Sequence, residues 1–113
     1  MHLKNFSLIE TAPESGLYTL SAAYDLLPVN VIMLEDKEEF ALTMNGKKTH
    51  IRRSDFLAFA DASGISRKAA ETMISKLLSL VPAWIKLCDD SLLPDAMKKE
   101  LTSLIQERSA RML

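Results

Sequence analysis

His2-Leu3-Lys4-Asn5-Phe6-Ser7-Leu8, read together with Ala23-Tyr24-Asp25-Leu26-Leu27-Pro28, frames the rest of this 113-residue chain. Asn5 and Asp25 are short side chains ending in oxygen, and each adjoins an apolar, strand-like run. Phosphoryl-transfer sites place two such ligands on Mg²⁺ in this way. Taken singly, either residue is an ordinary turn former. Their shared setting is what points to a nucleotide site.

Residues Asn5 to Glu10 and Leu17 to Ala22 are rich in Phe, Leu, Ile, Tyr and Thr, and Pro13 and Gly16 punctuate the segment between them. This pattern predicts a small β-hairpin. It ends beside Tyr24 and Asp25, which places Asp25 at a strand end. Pro28 biases Leu27 away from helix, and irregular backbone is expected to continue through Asn30. A second hairpin is expected around Asn45-Gly46, flanked by Glu39-Phe40-Ala41-Leu42-Thr43-Met44 and Lys47-Lys48-Thr49-His50-Ile51, because both turn residues tolerate positive φ. Hairpins of this size cannot bury themselves and must lie on something larger.

From Ser54 the period becomes helical. Ser54 is expected to cap a helix through Asp55, Phe56, Leu57, Phe59 and Ala60, with Gly64 as its stop. Ser66 caps a second helix, whose stripe of Ala69, Ala70, Met73, Leu77, Leu80 and Val81 runs on toward Trp84, Ile85 and Cys88. Pro82 should break or kink it, since proline lacks the N–H and clashes one turn back. Pro94 opens a last helix, with Met97, Leu101, Leu104, Ile105 and Met112 on one face. The fold class expected is α+β, mainly α, in one domain: a hairpin-rich part over 1–52 and a helical bundle over 53–113.

Composition narrows the function. Fourteen basic against 15 acidic residues leave a formal charge of −1, so no global field draws the chain onto nucleic acid. No apolar run approaches the ~20 residues needed to span a bilayer. One cysteine, Cys88, rules out an internal disulfide and agrees with a cytoplasmic setting. That residue, in an apolar helical stretch, reads as packing. The six methionines are spread through the chain and read as core filler. Lys47-Lys48 and Arg52-Arg53 read as a solvated face.

The first two motifs resemble the catalytic core of the HipA family, the serine/threonine kinase toxins of bacterial toxin–antitoxin pairs. Ala41-Leu42-Thr43-Met44-Asn45-Gly46-Lys47-Lys48 and the helices ending at Glu107-Arg108 resemble its C-terminal lobe. The resemblance implies a catalytic loop reading Asp-x-His-x-Lys-Asn, in which Asn5 holds Mg²⁺ while His2 and Lys4 are loop scaffold. It makes Asp25, in the Tyr-Asp-Leu motif, the second metal ligand. The catalytic Asp, which takes the proton from the substrate hydroxyl, would fall one place before Met1, so no catalytic residue is assigned within the sequence. The complete family member uses Mg²⁺ and ATP. This chain is expected to bind neither alone and to be inactive alone, because a kinase also needs a triphosphate cradle and a phosphate-pairing Lys.

The partners implied are the N-terminal kinase portion or an antitoxin protein, and a homo-oligomer through exposed apolar surface is a further expectation. A competing reading makes the chain a stand-alone interaction module. Another takes Asp55 to Leu80 as a helix-turn-helix entering the major groove of DNA, but Ala69, Ala70 and Glu71 offer little to base edges.

Overall fold

The structure, a computed structural model, describes residues 3–26, 28–33 and 35–113. His2, assigned above to the loop scaffold, and Leu27, whose backbone Pro28 was expected to bias, lie outside the described residues. The architecture is α+β and mainly α. A 3₁₀ turn (Leu3–Asn5) leads into β1 (Leu8–Glu10) and β2 (Tyr18–Leu20). The helices α1 (Val29–Ile32), α2 (Arg53–Ala62), α3 (Arg67–Ser79), α4 (Val81–Asp90) and α5 (Asp95–Ala110) follow.

β1 and β2 pair antiparallel, Leu8 opposite Leu20 and Glu10 opposite Tyr18. Backbone hydrogen bonds run one step further at each end, from Ser21 N to Ser7 O (2.8 Å) and from Thr11 N to Leu17 O (2.9 Å). The ladder is therefore that of the expected hairpin, with shorter regular strands. Its turn is held by the Glu10 carboxylate, which accepts the Gly16 amide at 2.7 Å and the Glu14 amide at 3.3 Å. Those bonds fix a reversal in which Glu14 and Gly16 both have positive φ.

The second hairpin keeps its turn and, beyond it, only the Glu39 and Phe40 amides on the Lys48 carbonyl, at 2.8 and 3.4 Å. Asn45 (φ 50°) and Gly46 (φ 74°) take the left-handed conformations their types tolerate, but their flanks make a single bridge, Met44 to Lys47. Side chains take over where strands were expected. The Glu39 carboxylate accepts the amides of His50 and Ile51, each at 3.1 Å, donors a longer ladder would have used. Lys47 and Asn45 turn toward Asp55 on α2.

Asp55 also corrects the start of α2. The helix begins at Arg53, with Arg52 at the cap, and not after Ser54. At the third helical position, Asp55 reaches back to accept the Arg52 amide at 2.9 Å, so it supplies the cap that Ser54 was expected to give. Ser66 does cap α3, accepting the Ala69 amide, and Gly64 (φ 72°) ends the preceding turn. The break expected of Pro82 falls at Leu80, because a proline is best placed in the first turn of a new helix, here α4. Pro94 stands at the N-cap of α5. Val29–Ile32 forms a helical turn where irregular backbone was expected. The Pro28 carbonyl accepts the Val31 amide at 2.8 Å, which closes that turn.

α4 packs on α5, α2 on α3, and α1 on α5. The core is small: Val31, Ile51, Ala60, Ala70 and Cys88 are its buried apolar residues. On α3 the inward row is Ala70, Ile74 and Leu78, whereas Met73 and Leu77, assigned to the core by periodicity, are more than half exposed. The radius of gyration is 16.4 Å, against about 13 Å for a compact domain of this length. Much of the excess goes with the hairpin, whose six strand residues are all exposed.

Candidate functional site

The base of the hairpin brings the two sequence-predicted ligands together. The Asn5 side-chain N–H donates to the Asp25 main-chain carbonyl at 3.3 Å, across a separation of 20 residues. Asn5 ends the 3₁₀ turn that enters β1, and Asp25 follows the exit from β2, so hairpin pairing forces the two segments alongside each other. Asp25 is exposed and sits at φ 53°, in the left-handed region. Asp tolerates that conformation better than most side chains because its short polar end can bond locally. Strained backbone of this kind concentrates where a side chain must be aimed.

Tyr24 fastens the arrangement and was not singled out by sequence. Its hydroxyl donates to the Lys4 carbonyl at 3.1 Å and lies 2.6 Å from the Ser7 hydroxyl, which is left as donor to it. One phenol oxygen thus ties the entry to β1 to the residue next to Asp25. The signal was present as Tyr24 beside Asp25, but nothing in a linear sequence says where a hydroxyl points. Lys4 is exposed, and its carbonyl carries this link; His2 lies outside the described residues.

The donor set is the chemistry of a hard cation. An amide oxygen on Asn5 and a carboxylate on Asp25 are oxygen ligands of the sort Mg²⁺ takes, one or two from protein and the rest from phosphate and water. Among the described residues, no group of three or more His, Cys, Asp or Glu is placed to hold a metal without such help. The residues present therefore fit a metal shared with a phosphate ligand better than an all-protein cage.

Two further polar clusters lie in the helical part. Asp55, 1% exposed, accepts Lys47 Nζ at 2.8 Å and Asn45 Nδ2 at 2.9 Å. These bonds and the Arg52 amide, Lys47 foremost, outweigh desolvation and hold its carboxyl well down, at about 2. The cover is thin, since Lys47 is itself about half exposed. Desolvation also works against the charge on Glu39, but Arg111 and the Ile51 and His50 amides overcome it and lower its pKa. Both clusters fasten the 39–51 loop.

α2 and α3 are joined by a four-residue turn, Ser63 to Ser66, as a helix-turn-helix would be. At the start of α3, Arg67 is ion-paired with Glu71 at 3.1 Å, and Thr72 bonds back to the Lys68 carbonyl. Lys68, Ser75 and Lys76 stay exposed on the same helix.

What the fold and the hairpin define is a mainly helical domain entered by a β-hairpin whose base sets Asn5 against Asp25. The family model described as HipA-like C-terminal domain matches residues 1–85, from the hairpin into α4. The chain belongs to the HipA-like C-terminal domain family. No curated protein matches it.

Proposed function

We propose that this chain is the metal-ligand-bearing C-terminal part of a HipA-like protein serine/threonine kinase, and that it does not transfer phosphate by itself. The observation that carries this reading is the contact between Asn5 and Asp25 at the hairpin base. In the working site the Asn5 amide oxygen and the Asp25 carboxylate would hold Mg²⁺, which neutralises phosphate charge when bound. Tyr24 keeps the two segments in register, so that neither ligand has to be ordered at the moment nucleotide arrives. The proton acceptor and the triphosphate cradle come from the N-terminal kinase portion.

The hairpin surface supports a partner of that kind. Phe6, Leu8, Ile9, Leu17, Tyr18, Leu20, Tyr24 and Leu26 are each at least 42% exposed. They occupy both faces of a two-stranded ribbon that could not hold its shape alone. The favoured occupant is the N-terminal kinase portion; an antitoxin or a second copy of the chain would meet the same surface.

Two measurements test this. Mg²⁺ and ATP should leave the melting temperature of the isolated chain nearly unchanged, because two ligands without a cradle bind weakly; a shift of several degrees would contradict it. Mixing the chain with the N-terminal portion of a HipA-like kinase should restore Mg²⁺-dependent phosphorylation, and Asn5→Ala or Asp25→Asn should abolish it. Full activity in either variant mixture would remove the metal-ligand role.

A further inference from the structure

An apolar cavity of about 300 Å³ lies where α2, α3, α4 and the end of α5 face the 39–51 loop. Phe40, Phe56, Ile74, Leu78 and Trp84 form its walls, and Phe40 meets Phe56 edge to face with ring centroids 6.2 Å apart. All five are only half-buried, although they stand where the helices and the loop converge. Large apolar side chains at such a junction stay half-buried because the space between them is unfilled. Leu77 lines the cavity and is 54% exposed, so the cavity opens to solvent on that side.

The charged residues of the lining are engaged within the protein. Arg111 Nη1 lies 2.8 Å from Glu39, which also accepts the His50 and Ile51 amides. Arg108 Nη2 donates to Asn30 Oδ1 at 2.7 Å. What these pairs leave to the cavity is hydrocarbon and aromatic surface. Water in such a space finds few of the polar partners it needs, and walls facing a gap forfeit the dispersion contacts that close packing gives. A molecule that fills the gap without needing hydrogen bonds restores those contacts.

We propose that this cavity binds a neutral, fused-ring aromatic molecule. An apolar cavity of roughly 150 Å³ takes one benzene ring, so about twice that volume suits two rings. The rings of Phe40, Phe56 and Trp84 favour an aromatic guest, since ring edges and faces attract one another. A charged guest is disfavoured, because burying an unpaired charge is costly. The cavity shares no lining residue with the hairpin, so its test needs neither nucleotide nor Mg²⁺.

The full chain should be dialysed to equilibrium against naphthalene, benzene and 1-naphthoate in turn, and melted in the presence of each. Naphthalene should saturate at one equivalent and raise the melting temperature. Benzene, which fills only part of the space, should bind more weakly, and 1-naphthoate about tenfold or more below naphthalene. Ile74→Phe puts a ring into the cavity and should abolish naphthalene uptake. Leu77→Trp, at an exposed position where a larger side chain does not threaten folding, should narrow the mouth and cut the affinity. No saturable uptake of naphthalene, benzene or 1-naphthoate bound as tightly as naphthalene, or native affinity in either folded variant would each overturn the proposal. The last result would place the binding on another apolar surface, such as the hairpin. Should Ile74→Phe fail to fold, Leu77→Trp and the probe comparison still decide it.

Discussion

Lys47 Nζ lies 2.8 Å from one oxygen of Asp55 and 3.2 Å from the other, so a loop lysine caps the carboxylate that starts α2. Asp55 holds the Asn45-Gly46 turn and the α2 N-terminus at once, since it also accepts Asn45 and the Arg52 amide. Its pKa, about 2 in the fold against 3.8 ordinarily, means the unfolded chain binds this proton first as pH falls. The stabilisation is fully present above pH 4 and is lost between about 4 and 2. Glu39, also lowered, acts in the same direction. Urea midpoints measured from pH 7 to pH 2 should drop through that window in the native chain. Asp55→Asn should be less stable at pH 7 and show a shallower acid limb; an unchanged limb would sink this account.

Backbone conformation in the same loop gives a paired prediction of opposite signs. Gly46 has φ 74° with open space around the position of a Cβ, so Gly46→Ala meets no clash and pays only the left-handed backbone cost. That should destabilise by about 1–2 kcal/mol. His50 holds φ 53° with an exposed side chain and uses only its amide toward Glu39. His50→Gly relieves the same strain but loosens the unfolded chain, for a net gain of up to about 1 kcal/mol. Denaturant midpoints of the two variants should move apart.

Ile51, 2% exposed, is the most buried apolar side chain among the described residues and joins the loop to the helices. Ile51→Ala should cost about 2–5 kcal/mol, and Ile51→Val about 0.5–1.5 kcal/mol. In so small a core the larger loss is a substantial share of the total stability. Thermal melts of both variants check it; a loss below 1 kcal/mol for Ile51→Ala would mean that the loop does not anchor the fold.

Local chemistry explains what could be read in advance. Asn45-Gly46, Gly64, Ser66 and Pro82 act on backbone within a few residues of themselves, and each sits at a turn, cap or helix start. The cap falls two residues before Ser54, at Arg52, because Asp55, itself fixed by Lys47 and Asn45, reaches back to the Arg52 amide and so starts the helix at Arg53. The expected stripe on α3 holds at Ala70 and misses by one residue at Met73 and Leu77, whose neighbours Ile74 and Leu78 turn inward. Periodicity gives a face some 100° wide, and only packing against α2 and α4 selects Ala70, Ile74 and Leu78 within it. At the hairpin base Asn5 and Asp25 are marked by their motifs and the fold sets them in contact, whereas the two hydroxyl contacts of Tyr24 have no signal in the linear sequence.

Tyr24→Phe removes the hydroxyl links to Ser7 and Lys4 and nothing else. Each bond is exposed to solvent, so the global loss should be small, on the order of 0.5–1.5 kcal/mol. The local effect should be larger, since the hairpin has little else to hold its base. Hydrogen exchange at the Thr11 and Ser21 amides, which close the ladder toward Leu17 and Ser7, should accelerate more than exchange within α4 or α5. Equal acceleration everywhere would show that Tyr24 acts on the whole fold.

Asp25 separates backbone need from chemical need. At φ 53° it occupies a conformation that glycine takes freely and asparagine tolerates. If the position serves only the turn, Asp25→Gly and Asp25→Asn are both harmless to stability and to any partner-supported activity. If the carboxylate is a metal ligand, both variants fold as well as the native chain, Asp25→Gly gaining a few tenths of a kcal/mol from relief of strain, yet both lose phosphoryl transfer when mixed with the N-terminal kinase portion. Melting temperatures and transfer rates measured on the same preparations tell the two apart. Stability held while transfer is lost places the carboxylate on the metal; stability and transfer both held confines Asp25 to the turn.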